Sequence, residues 1–136
     1  MIFDAQYEDI NSIKELGQKY NNNFSSLFQI DLYINNENYI VKIIKDNNYI
    51  IGFIICDNLI DTVDIELIYI DKTYRKRGYG KKLVDSLLQY NKPINLEVNQ
   101  TNIPAMKLYV KCGFVEIARR EKYYNGVDAI IMRKEQ

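Results

Sequence analysis

The chain has 136 residues, 47% of them hydrophobic, with 18 Lys and Arg balancing 18 Asp and Glu and no histidine. That suffices for one globular domain, residues 1–136, with a sizeable core and leaves no room for a second. The balanced charge excludes a polycation that would hold nucleic acid or a membrane through its overall field. Cys56 and Cys112 stand far apart; without histidine they form neither an ordinary Cys/His zinc site nor a Cys-His nucleophile couple, so no metal is expected and both read as small buried hydrophobes.

The N-terminal MIFDAQYEDI lacks a positive segment leading into a long apolar one. No run approaches the roughly 18 apolar residues of a membrane span, so a cytoplasmic protein is expected. Ile10, Ile13, Leu16 and Gly17 have helical spacing, Asn21 to Asn23 break it, and Ser25 or Ser26 could cap a second short helix. From Tyr39 the texture changes: YIVKII, the turn KDNN and YIIGFIIC predict a hairpin rich in β-branched residues. A third apolar run, VDIELIYI (63–70), leads into RKRGYGKK (75–82), after which Leu83, Val84, Leu87 and Leu88 share a helical face. INLEV (94–98) alternates as a strand, Pro104 opens a helix through Cys112, and Gly113 suits its C-terminal cap. The last two strands flank Asn125-Gly126, a strong two-residue hairpin signal. The predicted order is α, α, β, β, β, α, β, α, β, β.

This order puts five cations and two glycines at a strand-to-helix corner. A helix start presents unpaired N–H groups and the positive end of the helix dipole, so an anion collects there. Gly78 and Gly80 would let a diphosphate approach the backbone, while Arg75, Lys76, Arg77, Lys81 and Lys82 supply charge around it. The segment is neither familiar nucleotide loop. Lys81 is followed by Lys82, with no glycine five residues before Gly80, and Leu83 stands three positions after Gly80. Nucleotide hydrolysis and dinucleotide redox chemistry both lose support.

The pattern Arg75-x-x-Gly78-x-Gly80 resembles the acetyl-CoA pyrophosphate loop of the GNAT acetyltransferase superfamily. Downstream, Leu96-Glu97-Val98, Asn102, Ala105, Leu108-Tyr109 and Gly113-Phe114 are similar, in order and spacing, to elements of its RimI-type branch. Arg119-Arg120, Tyr123-Tyr124 and Asp128 to Met132 extend that resemblance, which covers roughly residues 38 to 136. It implies an α/β (α+β) fold with a central mixed, mostly antiparallel sheet whose middle strands splay, flanked by helices. It also implies acetyl-CoA as cosubstrate, direct transfer to an amine without an acyl-enzyme, and an acceptor that is a protein N-terminus, in that branch the alanine of a small-subunit ribosomal protein. An acetyltransferase of small amines and a noncatalytic acyl-CoA- or RNA-phosphate-binding module are the competing readings; near-zero net charge speaks against the RNA version.

Acetyl transfer needs an amine deprotonated, a thioester carbonyl polarised and a thiolate released. In INLEV, Glu97 faces away from Ile94, Leu96 and Val98. With no histidine present it is the most economical proton acceptor, and it coincides with the general base of the family. Tyr109, twelve residues on, shares a helical stripe with Ala105, Leu108 and Cys112 and reads either as a core aromatic or, by the resemblance, as the acid beside the departing sulfur. The resemblance further implies that Ile68, Tyr69 and Ile70 meet the cofactor through backbone, one amide near Ile70 facing the developing oxyanion. Tyr79 belongs to the phosphate loop, and Asn102 both caps a helix and holds the pantetheine arm. Asp64 could meet the incoming ammonium, and Tyr123 and Tyr124 could line the acceptor groove. The chain departs from the branch in having no Trp, with Phe24-Ser25 where the branch has Trp-Ser, and in a shortened final hairpin connection.

Overall fold

The computed structural model describes the backbone of residues 1–136 and every side chain except those of Tyr123 and Tyr124. Seven strands form one sheet: β1 (Ile2–Asp4), β2 (Tyr39–Asp46), β3 (Tyr49–Asn58), β4 (Val63–Ile70), β5 (Ile94–Asn99), β6 (Val115–Tyr124) and β7 (Val127–Lys134), in the spatial order β1-β2-β3-β4-β5-β7-β6. All neighbours are antiparallel except β4 and β5. The central strands read as nearly continuous apolar runs because both faces are covered.

One face packs against α1 (Ile10–Tyr20) and the short helices α2 (Phe24–Leu27) and α3 (Ile30–Tyr33), through Ile13, Leu16, Phe24, Ile30, Ile43, Phe53, Ile55 and Leu67. The other packs against α4 (Tyr79–Asp85), the 3-10 turn that prolongs it to Tyr90, and α5 (Ile103–Lys111), through Leu83, Leu87, Tyr109, Ile54, Val63, Leu96 and Ile130. Gly17 is demanded by packing, since a Cβ there would lie 2.5 Å from the Phe24 ring. The final hairpin turns on Asn125 and Gly126, both at positive φ (46° and 87°), as its two-residue loop requires.

Three features depart from the expected layout. β1 is an added edge strand, too short to carry a readable period; it is tied down by the buried Lys42, whose Nζ lies 2.7 Å from Asp4 Oδ1. The region after α1 forms two single-turn helices, and Asn23, not Ser25 or Ser26, takes the cap position of the first. β4 also carries a bulge. Ile55 pairs with Leu67 and Cys56 with Ile65, leaving Glu66 as the extra residue. Val63 and Ile65 therefore face the α4/α5 core, Leu67 faces the α1 core, and Ile68 and Ile70 return to the α4/α5 side.

Candidate active site

β4 and β5 are hydrogen-bonded neighbours only at Val63↔Ile94, Asp64↔Asn95 and Ile65↔Leu96. Beyond that point β4 stays with β3 as far as Gly52↔Ile70, and β5 stays with β7 as far as Asn99↔Ala129. The sheet thus splits down its middle. The facing edge of β4, from Glu66 to Ile70, is left with amides and carbonyls that no neighbouring strand satisfies, which is where the sequence puts Ile68, Tyr69 and Ile70.

The split leads to the basic loop. Lys76 (φ 64°) and Gly78 (φ 83°) are both left-handed, turning the chain so that the amides of Tyr79, Gly80 and Lys81 open α4; the first bond into the helix is Lys82 N–H to Gly78 O at 3.2 Å. A Cβ on Gly78 would meet no atom within 4 Å, whereas one on Gly80 would press on Leu108 at 3.2 Å. The two glycines thus have different reasons: Gly78 makes the turn and leaves open space before the amides, and Gly80 lets α4 and α5 approach. The cations are also unequal. Arg75 turns back, donating from Nε to Ile70 O at 2.9 Å with its guanidinium 5.2 Å from the Tyr69 ring. Arg77 lies 5.4 Å over Tyr74, Lys82 5.5 Å over Tyr79, and Lys81 pairs with Asp85 at 2.6 Å. Exposed left-handed backbone, amides at a helix start and surrounding cations fit a diphosphate.

Glu97 and Tyr109 stand on opposite faces of the sheet. Tyr109 belongs to the α4/α5 core, only 7% exposed and 5.7 Å from the Phe114 ring, and burial, followed by the nearby Cys112 and Cys56, pushes its phenol up to about 12. Glu97 projects to the other face, its Oε1 3.3 Å from Arg120 Nε. A group on each face can reach one reacting centre only through a gap in the sheet, and the gap begins at Glu97. Asn102 caps α5, accepting from the Ala105 amide at 3.3 Å. Asp64 lies inside the closed part of the β4–β5 ladder, on the Glu97 face, accepting from Thr62 Oγ at 3.0 Å. Tyr123 and Tyr124 lie outside the described side chains. A surface hollow of about 530 Å³, lined by residues 57–62 with Asn38 and Tyr39, is at the far end of β4 from the basic loop.

Sequence reasoning missed Glu66. The bulge turns it to the Glu97 face, where a hydrogen bond with Asp57, partial burial and the charges of Asp57, Asp64 and Glu97 push its carboxyl up to about 7. The usable signal was register: once Ile65 is paired with Leu96, the next position on each strand is a glutamate.

The fold brings together a sheet split between two parallel strands, a basic glycine-bearing loop at the end of one, and a carboxylate and a phenol on the two sides of the opening. The chain belongs to the Acetyltransferase (GNAT) family, whose model matches residues 4–114. The [ribosomal protein bS18]-alanine N-acetyltransferase of Haemophilus influenzae is 38% identical over 93 residues, 65% of this chain and 63% of that protein. The first curated relatives are matched over 21% to 63% of their own length. The fold superposes on the ribosomal-protein-S18-alanine N-acetyltransferase of Escherichia coli with a TM-score of 0.81 and 25% identity, covering 98% of this chain and 91% of that one. It superposes on a putative streptothricin acetyltransferase of Bacillus anthracis, crystallised with acetyl coenzyme A, with a TM-score of 0.73 and 35% identity over 78% and 67% of the two chains.

Proposed function

We propose that this chain is an acetyl-CoA-dependent N-acetyltransferase that acts on the N-terminal α-amine of a protein. The observation that carries the reading is the opening between β4 and β5, with Glu97 on one face and Tyr109 on the other. The cosubstrate's diphosphate would rest on the amides of Gly78 to Lys81 among Arg75, Lys76 and Arg77, and Asn102 would hold the pantetheine arm. The acetyl thioester would then lie in the split, its carbonyl oxygen toward the unpaired edge of β4 near Ile70. Glu97 meets the acceptor ammonium from the α1 side, with Asp64 on the same face. Tyr109 meets the sulfur from the α5 side.

The raised proton affinity of Tyr109 keeps it a phenol at every working pH. Complete transfer from that phenol to a thiolate whose ordinary pKa is about 8.5 is uphill, so it stabilises the leaving sulfur by donating a hydrogen bond. An α-amine, ordinarily near 8 against about 10.4 for lysine, asks less of a carboxylate base, which favours terminal amines. The similarity to bS18-alanine acetyltransferases supports a ribosomal-protein N-terminus as acceptor and a cytoplasmic setting. A small-molecule amine is the second reading, favoured by the similarity to a putative streptothricin acetyltransferase and by the two-residue β6–β7 turn, which places no long loop over the acceptor face. Thiol release from acetyl-CoA, measured with peptides beginning Ala, Ser or Met and with spermidine, tests both. Turnover confined to a peptide supports the first reading and turnover confined to spermidine the second. No release with any acceptor overturns both.

A further inference from the structure

We infer that Arg120 is a positioning residue: from β6 its guanidinium anchors one oxygen of the Glu97 carboxylate, so that the remaining lone pairs of that carboxylate serve the acceptor amine at the opening. This role rests on the acetyltransferase reading, in which Glu97 meets the acceptor ammonium. The two residues are on strands that do not touch, since β7 runs between β5 and β6. Their rungs differ too: Glu97 is opposite Ile131, while Arg120 is opposite Ala129. Two strand spacings are about 9–10 Å, so only a long side chain leaving β6 obliquely across β7 can reach Glu97. Arg120 does, with Nε 3.3 Å from Oε1. At the rung it leaves, β7 presents no more than the methyl of Ala129.

The backbone on either side of Arg120 is tied down. Arg119 pairs with Ile130 and so faces the α4/α5 side, where its Nε lies 2.8 Å from Glu116 Oε2 and its Nη1 3.4 Å from both Gln100 Oε1 and Asp128 Oδ2. Alternation then turns Arg120 to the opposite face. Beyond it the β6–β7 register shifts, and Lys122 takes a left-handed φ of 53°. Such a backbone is unfavourable for a residue with a side chain. It is held because the Lys122 amide donates to Asp128 Oδ1 at 2.9 Å, while the Asp128 carbonyl accepts from the Gln100 amide at 3.0 Å. One aspartate therefore joins the β6 bulge and the end of β5 to β7, and fixes the distance that the Arg120 side chain has to span.

Stability does not account for the pair. Side chains 53% and 29% exposed form an ion pair that contributes little to folding. What it supplies is place. Glu97 is the first residue of β5 past the last β4–β5 rung, Ile65↔Leu96, beside the mouth of the opening, and a partly exposed glutamate has several rotatable bonds by which to leave it. A proton acceptor has to stand within hydrogen-bond reach of the amine, and misplacement by about 1 Å can cost about 10²-fold in rate. The guanidinium grips from the β7 and β6 side of β5, away from β4. It therefore restrains the carboxylate without occupying the space between the parted strands.

The test is a double-variant cycle in steady-state acetyl transfer to one acceptor peptide, with wild type, Arg120→Ala, Glu97→Gln and the two combined. Arg120→Ala should lower kcat about 10-fold to 10²-fold and leave the KM for acetyl-CoA unchanged. Arg120→Lys, which keeps the charge without the planar fork, should recover part of that loss. In the Glu97→Gln background Arg120→Ala should cost nothing further, because no carboxylate is left to position. Equal losses in both backgrounds, or a kcat in Arg120→Ala at or above that of wild type, overturn the role of Arg120 and leave the acetyltransferase reading intact. Absence of transfer by wild type to any amine overturns both. The pair can also be followed without turnover: the Nε–H signal of Arg120 in ¹H–¹⁵N spectra should move on Glu97→Gln, and an unmoved signal shows that Arg120 does not hold Glu97 and overturns its role.

Discussion

The two faces of the sheet meet the same opening with opposite chemistry. On the α4/α5 side the opening is walled by Leu96, Val98, Ile68 and the buried Tyr109, a nearly apolar lining with one hydroxyl. On the α1 side it is flanked by Glu66, Glu97 and Asp64, with Asp57 behind. A β-strand makes this division without effort, because successive side chains alternate faces. Leu96, Glu97 and Val98 present one carboxylate between two core residues, and the sheet itself keeps the acidic side apart from the apolar side. What alternation cannot do is let the two sides act on one atom. That requires the strands to part.

The comparison breaks most readily at its carboxylates. Glu97→Gln should lower kcat/KM about 10²-fold or more near pH 7, with the defect shrinking toward about pH 10, where the amine arrives deprotonated, as steady-state rates on one acceptor peptide would register. If Tyr109→Phe and Glu97→Gln gave the same pH signature and the same response to the leaving thiol, the two faces would have no separate roles. Cores behind the two faces should matter for stability alone. Ile13→Ala on the α1 side and Leu87→Ala on the α4 side, both fully buried, should each cost about 2–5 kcal/mol in urea unfolding. A changed kinetic pH profile in either would mean that the division of labour reaches deeper than the opening.

Tyr109→Phe should have a smaller effect, about 10-fold to 150-fold on turnover, since one hydrogen bond to a charged group is worth about 1.5–3 kcal/mol. It should shrink with an acetyl thioester of a more acidic thiol and should not respond to pH. Gly78→Ala is smaller again for folding: the left-handed φ of 83° costs the new side chain about 1–2 kcal/mol, and its Cβ meets no protein atom. Its effect on acetyl-CoA affinity in calorimetry should exceed its effect on Tm, and unchanged affinity would remove the loop from the cofactor site.

The smallest effect concerns pH and stability. The Glu66 proton affinity is raised on folding from 4.5 to about 7, so the folded state binds the extra proton between those values. That contribution is complete below pH 4.5 and is lost as pH rises through 7. Screened by the solvent that reaches the pair, it should amount to roughly 1 kcal/mol, or a few degrees in Tm for a chain of this size. Glu66→Gln should flatten the melting temperature across that window; an identical slope in variant and wild type would show that the Glu66–Asp57 pair does not hold a proton.

Much of this molecule is determined by sequence over short range. The hairpin at Asn125-Gly126 follows from two residues that tolerate positive φ, and the helix through Tyr109 follows from Asn102 and Pro104 at its start and Gly113 (φ 95°) after its end. The run 63–70 is a strand in which every predicted position was found. The basic strand-to-helix corner was legible for the same reason, since its cations and glycines are contiguous in the chain. The face that Glu97 takes was legible because it sits in an alternating strand. The face that Glu66 takes was not, because it comes from an extra residue in the pairing of β4 with β3, a relation between segments that leaves no mark on local alternation. The reason for Gly80 was likewise hidden until α5 was seen packed against it, with Leu108 at 3.2 Å from its missing Cβ. The split itself is tertiary. β4 follows β3 and β5 follows β7 once their own ladder has ended, so local sequence made the strands and their competing partners decided where the sheet would open.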